Sequence, residues 1–288
     1  MSAGEATVTS PAQNAGDGLS VAFWGVRGSA PVCGAEYDIF GGSTLCLEII
    51  ADGHCLILDA GTGLRQLGQK LQRHAIININ LFLTHYHLDH VMGLSMFGPL
   101  FQKGTSIAVH APILRDKHPE MILKRLLGEP YFPVPMKQSG ALLAVTGFHP
   151  GEIVTADGLK IVTSALLHPG GACGYRFGFQ GKSVAVITDH EHESEEPAAP
   201  LVAFCAGVDL LLYDSHWDED VDYASHKGWG HSTWQAGLRL LHAAGARRLG
   251  CLHHAPGATD TILLEREARL QRVHSEGFMA RQGQTVRL

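Results

Sequence analysis

Basic residues, long apolar runs and closely spaced cysteines are all scarce in this sequence, and each absence excludes a class of protein. Lysine and arginine total 22 against 28 acidic residues, a formal net charge of −6, so a protein that holds long nucleic acid through many phosphates is not expected. No run of eighteen apolar residues exists, which argues against a membrane-spanning helix. The N-terminus lacks the basic and apolar stretches of a secretory signal. We therefore expect a cytoplasmic protein with no membrane partner.

The six cysteines include no pair at the spacing of a zinc ribbon or a redox motif. Most lie in apolar, strand-like contexts, and we interpret them as reduced, buried thiols. Histidine, by contrast, is abundant, with 18 residues. Because neutral imidazole is the commonest side-chain ligand of transition metals, the spacing of these histidines decides whether they form a metal site.

A short polar tail precedes one long region of alternating strand and helix patterns. Residues 1–18 are small, polar and glycine-rich, and they predict a flexible N-terminal tail. Residues 19–288 predict one α/β domain. Its strands are apolar throughout, which is typical of sheets covered on both faces. Two sheets between two helical layers are therefore expected.

Individual elements follow from the periodicity of apolar residues and from glycine-rich or proline-rich breaks. We predict strands at residues 19–26, 43–50, 54–60, 79–84, 106–110, 159–167, 174–179, 183–188, 208–214 and 247–252. We predict helices near residues 64–73, 89–97, 112–127, 196–205, 232–244 and 259–275. Three prolines in LGEPYFPVPM (127–136) exclude a helix and a central strand there, and indicate a loop that acts as a lid or a partner contact.

The strongest chemical signal is HYHLDH at residues 85–90, between an apolar strand pattern and a helical one. At an extended strand end His85 and His87 point to the same face, so both rings can reach one metal ion. Asp89 and His90 enter a first helical turn and can face a second ion, and the helix dipole favours the ionised carboxylate. Chance rarely places four ligand-type side chains at such a junction, so a polar surface loop is the weaker interpretation.

Further ligand-type side chains follow three later strand patterns. His168 comes after LKIVTSALL, Asp189 after SVAVIT, and His253 after RRLGC. One rim of a sheet would collect all three, as a dinuclear site requires. The adjacent His254 is the alternative to His253 at the last of these positions.

This ordered set resembles the metallo-β-lactamase superfamily, and the resemblance covers nearly the whole chain after residue 19. It is closest to the branch that includes ribonuclease Z-type tRNA maturation enzymes and small cyclic-nucleotide phosphodiesterases. The segments that carry it are FWGVRGSAP, GGSTLCLEI, LILDAGTGLRQLG, HPGGACGYRF, TDHE and GWGHST. The resemblance implies a four-layer αββα sandwich and a metal-dependent hydrolase.

The resemblance also implies two divalent metal ions and assigns their ligands. One ion would take His85, His87 and His168, the other would take Asp89, His90 and His253, and Asp189 would lie between them. We prefer His253 to His254 because the family's ligand directly ends its strand. Zinc is the expected metal, although Mn²⁺ or Fe²⁺ suits the same mixture of imidazole and carboxylate. Such ions activate a water and neutralise charge on a phosphoryl oxygen.

Two residues are predicted to move protons. Asp89 would hold or accept a proton from the attacking water, and His231 in GWGHST would donate one to the leaving oxygen, a role that the resemblance to ribonuclease Z-like enzymes implies. Ser232 or Thr233 can cap the helix that follows. Asp214, at the end of a strand pattern, could orient His231.

We predict mainly structural roles for the glycine-rich segments. Asp59, Gly61 and Gly63 in LILDAGTG are expected to let a turn approach the metal motif closely. Arg27 in WGVRGS has two interpretations: a lone arginine is ordinarily solvated, whereas one in a glycine loop beside a dinuclear site can contact phosphate. We predict the substrate contact for Arg27.

The function predicted from these observations is hydrolysis of a small phosphodiester such as a cyclic nucleotide. We also expect a homodimer, because dimers are common in the family. The acidic charge and the lack of a basic glycine- and proline-rich arm disfavour a ribonuclease Z-like nuclease. Lactone or thioester hydrolysis stays open, because the same ions polarise a carbonyl. A non-catalytic metal-binding domain is disfavoured because all seven expected ligands are present.

Overall fold

Two seven-stranded sheets form the centre of the fold. The computed structural model describes residues 18–51 and 53–288, so residues 1–17 of the predicted tail lie outside it. The first sheet contains β1 Ser20–Gly25, β2 Cys46–Ala51, β3 His54–Leu58, β4 Asn78–Phe82, β5 Ser106–Pro112, β6 Leu142–Phe148 and β14 Thr285–Arg287. The second contains β7 Ile153–Ala156, β8 Leu159–Leu166, β9 Ala172–Phe179, β10 Lys182–Ile187, β11 Leu210–Asp214, β12 Arg248–Leu252 and β13 Phe278–Met279.

Helices flank both sheets. The α-helices are α1 Leu64–Arg73, α2 Leu88–Val91, α3 Pro119–Leu126, α4 Ala199–Phe204, α5 Tyr223–His226, α6 Trp234–Ala244 and α7 Asp260–Val273. Short 3-10 helices occupy Ala35–Tyr37, Met92–Met96, Gly98–Phe101 and Met136–Gln138. None of the helices that the structure describes is long and apolar enough to cross a bilayer.

Each sheet is antiparallel at one side and parallel at the other. The first has the order β14-β1-β2-β3-β4-β5-β6, and it changes from antiparallel to parallel pairing at β3. The second has the order β13-β12-β11-β10-β9-β8-β7, with the same change at β10. The carboxyl ends of parallel neighbours meet at one edge, which collects whatever side chains follow those strands.

Successive side chains of a buried strand point alternately into two apolar layers, which explains why the sequence of such a strand is apolar throughout. In β11, Leu210 and Leu212 pack in the core between the sheets, whereas Leu211 and Tyr213 pack beneath the helices. A third cluster joins the first sheet to α1 through Leu67. The predicted four-layer sandwich of two sheets between helical layers is therefore confirmed.

The predicted helix 112–127 is wrong over its first half. Strand β5 runs through Pro112, a turn with a bridge between Leu114 and Lys117 follows, and α3 begins only at Pro119. Proline suits the first position of a helix because its missing N–H would have no partner there. The His118 side chain caps this start by accepting the backbone N–H of Glu120 at 3.3 Å.

The predicted helix 89–97 breaks into α2 and a 3-10 helix because the chain there packs against the turn after β3. Gly93 donates its N–H to the carbonyl of Ala60 at 2.8 Å. A Cβ atom on Gly93 would lie 2.0 Å from the Gly61 carbonyl oxygen, and one on Gly61 would lie 2.5 Å from the Asp89 carbonyl oxygen. The predicted close approach of this glycine turn to the metal motif is confirmed for Gly61.

Other differences lie at sheet edges. The strands β6, β7, β13 and β14 were not predicted, because edge and very short strands carry weak patterns. Segment 127–136 is a turn-rich connection, as predicted. All six cysteines are free, and Cys33 alone among them is exposed. Burial raises the pKa of Cys205 and of Cys251 to about 12, so these thiols are unreactive as expected.

Candidate metal centre

The predicted ligands meet at one edge of the two sheets, each just beyond a strand. His85 to His90 follow β4, His168 follows β8, Asp189 follows β10 and His253 follows β12. Their donor atoms fall into overlapping groups in which every atom lies within 4.8 Å of the others.

The first group contains His85, His87 and His168. The Nε2 atom of His168 lies 3.0 Å from Nδ1 of His87. At its other ring nitrogen, His168 donates to the carbonyl of Gly230 at 2.7 Å, which leaves Nε2 as the unprotonated atom that faces the group. The Nε2 atom of His85 is buried, and no group in the described part of the chain hydrogen-bonds to it.

The second group contains Asp89, His90 and His253. The Nε2 atoms of His90 and His253 are 3.1 Å apart, and Nε2 of His253 lies 3.3 Å from Oδ2 of Asp89. The buried carboxylate of Asp59 fixes the ring of His90 by accepting from its Nδ1 at 2.9 Å. Asp59 therefore has a more specific role than the structural one expected from its sequence segment.

Asp189 lies between the groups with one oxygen toward each. Its Oδ1 is 3.8 Å from Nε2 of His85 and 3.6 Å from Nε2 of His168. Its Oδ2 is 3.1 Å from Nε2 of His90 and 3.3 Å from Nε2 of His253. Each oxygen of Asp189 therefore faces the histidines of a different group.

The donor set fits divalent cations on chemical grounds. The other ring nitrogens of His85, His90 and His168 are hydrogen-bonded, and these rings converge on carboxylates in a buried space, where unpaired polar atoms are costly. The unpartnered Nε2 of His85 is the clearest case. A cation satisfies such an atom, and mixed imidazole and carboxylate sets suit zinc, manganese and iron.

Backbone strain accompanies the site. Asp189 and His253 adopt φ values of 56° and 62°, and Asp59 also has 62°. The left-handed region is unfavourable for residues with a Cβ atom, and such conformations persist where the surroundings fix them. Of the nine non-glycine residues with positive φ in the described part of the chain, three are thus a predicted bridging ligand, a predicted terminal ligand and the residue that orients His90.

A histidine–aspartate pair borders the ligands. Nδ1 of His231 donates to Oδ2 of the buried Asp214 at 3.0 Å, so the predicted orientation by Asp214 is confirmed. Burial lowers the pKa of His231, but the carboxylates of Asp214, Asp189 and Asp89 outweigh burial and raise that pKa to about 9. Thr233, rather than Ser232, caps α6 by accepting from the N–H of Ala236 at 3.1 Å.

Asp214 organises the surroundings of this pair through three backbone N–H groups. Its oxygens accept from Asp189 at 2.9 Å, from His216 at 3.0 Å and from Ser232 at 3.2 Å. Burial opposes ionisation of Asp214, yet His231 and, to a smaller extent, His253 keep its pKa below the usual value. One carboxylate therefore links a predicted metal ligand to the predicted proton donor.

Sequence reasoning missed two residues that shape the site. His216 stacks on His231 with ring centroids 4.3 Å apart, and burial lowers its pKa to about 3, so its ring is neutral. Glu191 accepts from the backbone N–H groups of Gly228 at 2.5 Å and Gly230 at 2.7 Å, which fixes the loop before His231. The only sequence signal was their position, each two residues after a site aspartate.

Two alternatives from the sequence are decided by side-chain direction. Nε2 of His254 lies 3.0 Å from the carbonyl of Ala280, away from both groups, which favours His253 as the ligand. The predicted phosphate contact of Arg27 is contradicted, since Arg27 is 0% exposed and its guanidinium donates to the carbonyls of Gly41 and Ala258. Arg27 therefore joins buried loops instead of facing a ligand.

Fold and site together define a metal-dependent hydrolase built on a two-sheet sandwich. The family model described as "Beta-lactamase superfamily domain" matches residues 54–254, a range that holds every predicted metal ligand. The chain belongs to the metallo-β-lactamase superfamily. Members of this fold family bind divalent metal ions, typically zinc.

Individual relatives are more distant. Ribonuclease Z of Metallosphaera sedula is 24% identical over 251 residues, which cover 76% of this chain and 84% of that protein. A diphosphatase from the PhnP family has a TM-score of 0.68 at 19% identity, covering 94% of this chain and 98% of its own. Human tRNase Z, short form, has a TM-score of 0.64 at 18% identity, covering 93% and 98%. At such identities the solved structures establish the fold alone.

Proposed function

We propose that this protein is a dinuclear metal-dependent phosphodiesterase that acts on a small phosphodiester such as a cyclic nucleotide. The observation that carries the proposal is the position of Asp189, which turns one oxygen to each ligand group. A phosphodiester needs charge neutralisation on its phosphoryl oxygens and a proton for its leaving oxygen. Bound metal ions would supply the charge neutralisation and His231 would supply the proton, at one buried edge of the sheets.

The ligands divide between two ions, for which we propose zinc. His85, His87 and His168 would hold one ion, Asp89, His90 and His253 the other, and Asp189 both. When bound, the ions supply Lewis acidity and lower the pKa of water. Asp89 would hold or accept a proton in this proposal, and its Oδ2 is fixed in direction by the N–H of Ser29, which it accepts at 2.8 Å. Burial raises the pKa of Asp89, but His90 and His253 outweigh burial and hold that pKa well below its usual range, so Asp89 is ionised.

His231 supplies the proton for the leaving oxygen in this proposal. Its Nδ1 is held by Asp214, so Nε2 is the nitrogen available for transfer. The stacked ring of His216 and the loop fixed by Glu191 restrict the orientation of His231. A leaving alkoxide, which is a strong base, benefits most from such a donor.

The charge of the chain favours a small substrate over a polymer. The formal net charge is −6, and a polymer of phosphates would be repelled by most of the surface. The PhnP-family relative is called a diphosphatase, so phosphoryl chemistry occurs in a protein of this fold. The ribonuclease Z relative makes a nuclease the second candidate.

Hydrolysis of bis(p-nitrophenyl) phosphate tests the class of reaction without assuming a natural leaving group. The purified protein is assayed after zinc loading, after chelation, and after reloading, with the metal content measured at each stage. Turnover that follows metal content supports the proposal. If protein with two bound ions leaves this ester intact, the proposal fails and lactone or thioester substrates are tested next.

The homodimer stays a prediction, and light scattering on the purified protein checks it. A mass twice that of one chain supports the dimer, and the mass of a single chain refutes it.

A further inference from the structure

A cleft of about 700 Å³ opens directly onto the metal centre. It is lined by the predicted ligands His85 and His87. The turn after β5, helix α3, the loop containing Tyr131 and the glycine turn after His168 also line it. A substrate whose phosphorus lies at the ligands would therefore extend its remaining part along this cleft.

The charged residues that line the cleft are all basic. Arg115 and Lys117 project from the turn after β5, and Arg125 projects from α3. No aspartate or glutamate lines the cleft, and within residues 18–51 and 53–288 none of these three cations lies in an ion pair. In a chain with a net charge of −6, three unpaired cations beside a catalytic centre favour an anionic ligand group.

The turn that carries two of these cations is held in an unfavourable backbone conformation. Arg115 and Asp116 have φ values of 48° and 58°, and Leu114 and Lys117 pair across the turn. Two consecutive left-handed residues are typical of a type I′ hairpin turn, where asparagine and glycine are preferred. An arginine in this position costs stability, which is consistent with a role for its side chain in binding.

The same cleft presents apolar side chains that the fold leaves uncovered. Met121 is 71% exposed and Tyr131 is 66% exposed, and both line the cleft together with Leu126. Large apolar groups gathered at a concave surface are typical of ligand sites, in which they cover an aromatic or aliphatic part of the ligand.

We infer that this cleft binds the non-reacting part of the substrate, and that this part combines an aromatic or apolar group with a second phosphate. Arg115, Lys117 and Arg125 would bind that second phosphate, and Met121 and Tyr131 would pack on the apolar group. The inference rests on the proposed phosphodiesterase function and narrows it. A singly charged cyclic nucleotide would use only part of the cleft.

Two matched substrates test this inference. Thymidine 5′-(p-nitrophenyl phosphate) and its 3′-phosphorylated form share the scissile bond, the leaving group and the base, and differ in the second phosphate. We expect the 3′-phosphate to lower KM by about ten-fold and to change kcat by less than about two-fold, as charge-assisted binding away from the scissile bond predicts.

Charge-removing variants then locate the effect. Arg115→Gln, Lys117→Gln and Arg125→Gln, alone and together, should raise KM for the 3′-phosphorylated ester only, and the triple variant should abolish the difference between the two esters. Lys124→Gln is the matched control, because Lys124 lies on the same helix, is paired with Glu120 and does not line the cleft. Turnover of bis(p-nitrophenyl) phosphate by Lys124→Gln should stay at the wild-type rate.

Calorimetry with thymidine 3′,5′-bisphosphate on metal-free protein gives a readout that does not depend on turnover. Binding that the triple variant loses and Lys124→Gln keeps supports the inference.

Equal KM values for the two esters, with no heat of binding, overturn the inference while leaving the phosphodiesterase proposal intact. No hydrolysis of any ester by protein with two ions overturns the phosphodiesterase proposal, and calorimetry still decides the cleft. A change of mass in light scattering for Arg125→Gln overturns the inference by making the cleft an interface between copies.

Discussion

Asp189 is the residue on which both ligand groups depend, because its two oxygens face different histidines across the site. Asp189→Ala should lower the occupancy of at least one ion and reduce turnover of bis(p-nitrophenyl) phosphate to background. Metal content per chain, measured by mass spectrometry after dialysis, is read beside activity. Asp220→Ala, which removes a carboxylate that is 70% exposed, serves as the control. Full activity with both ions retained in Asp189→Ala would refute the bridging role.

His231 is expected to matter in proportion to the basicity of the leaving group. With a 2′,3′-cyclic nucleotide, whose leaving group is an alkoxide, His231→Ala should reduce kcat by about 100-fold or more. With bis(p-nitrophenyl) phosphate, whose leaving group needs little protonation, the loss should be far smaller. Metal content should be unchanged in the variant. Equal losses with both substrates would indicate that His231 only supports the structure.

Whether the role of a single residue could be predicted depends on how close in sequence the groups lie that fix its side chain. The ligands were predictable because each follows a strand, so their direction is fixed by chain geometry close in sequence. Arg27 was mispredicted because burial depends on the carbonyls of Gly41 and Ala258, and the latter is 231 positions away. Glu191 was missed for the same reason, since its partners are backbone N–H groups in a later loop.

Among the elements, the junction between α2 and the following 3-10 helix fixes the direction of Asp89 and His90. The junction requires glycine at position 93, where a Cβ atom would lie 2.0 Å from a backbone oxygen. Gly93→Ala should lower the free energy of unfolding by about 1–3 kcal/mol, as overpacking of a close contact does. Urea denaturation measures this change.

Gly257→Ala is the matched control for this junction. No heavy atom lies within 4 Å of a Cβ atom built on Gly257, and its φ is not positive. Its stability should stay within about 0.5 kcal/mol of wild type. If both variants were equally stable, the close packing at Gly93 would not determine the end of α2.

Elements were predictable where burial imposed a strong pattern. Helix α1 begins and ends where the periodicity indicated, and most central strands lie within one or two residues of their predicted bounds. Strand β2 begins at Cys46, three residues after its predicted start. Helix α3 was predicted from residue 112 but begins at Pro119, and edge strand β6 was not predicted. Strand β5 extends through Pro112 because its residues pair with β6, a contact between distant segments that the local pattern does not carry.

At the scale of the whole molecule, eight lysines and arginines away from the cleft lie in ion pairs with nearby acids. These pairs include Lys70 with Glu48, Lys182 with Asp209, Arg239 with Glu219, Arg266 with Asp222, Arg269 with Asp218, and Arg281 with Glu267. These eight cations are less available to a polymer of phosphates than the three unpaired cations of the cleft. Together with the net charge of −6, the position of the cleft cations separates a small substrate from tRNA in this proposal.

This separation can be measured by the salt dependence of tRNA binding. If the three cleft cations are the main phosphate contacts, the logarithm of the association constant should fall with the logarithm of salt concentration with a slope no steeper than about −3, with weak binding at physiological salt. Fluorescence anisotropy of labelled tRNA, measured between about 0.05 and 0.2 M salt, gives this slope. The triple variant Arg115→Gln, Lys117→Gln, Arg125→Gln should bring it close to zero. A slope of about −6 or steeper that survives in the triple variant would mean an extended phosphate-binding surface elsewhere, and would make the nuclease the better proposal.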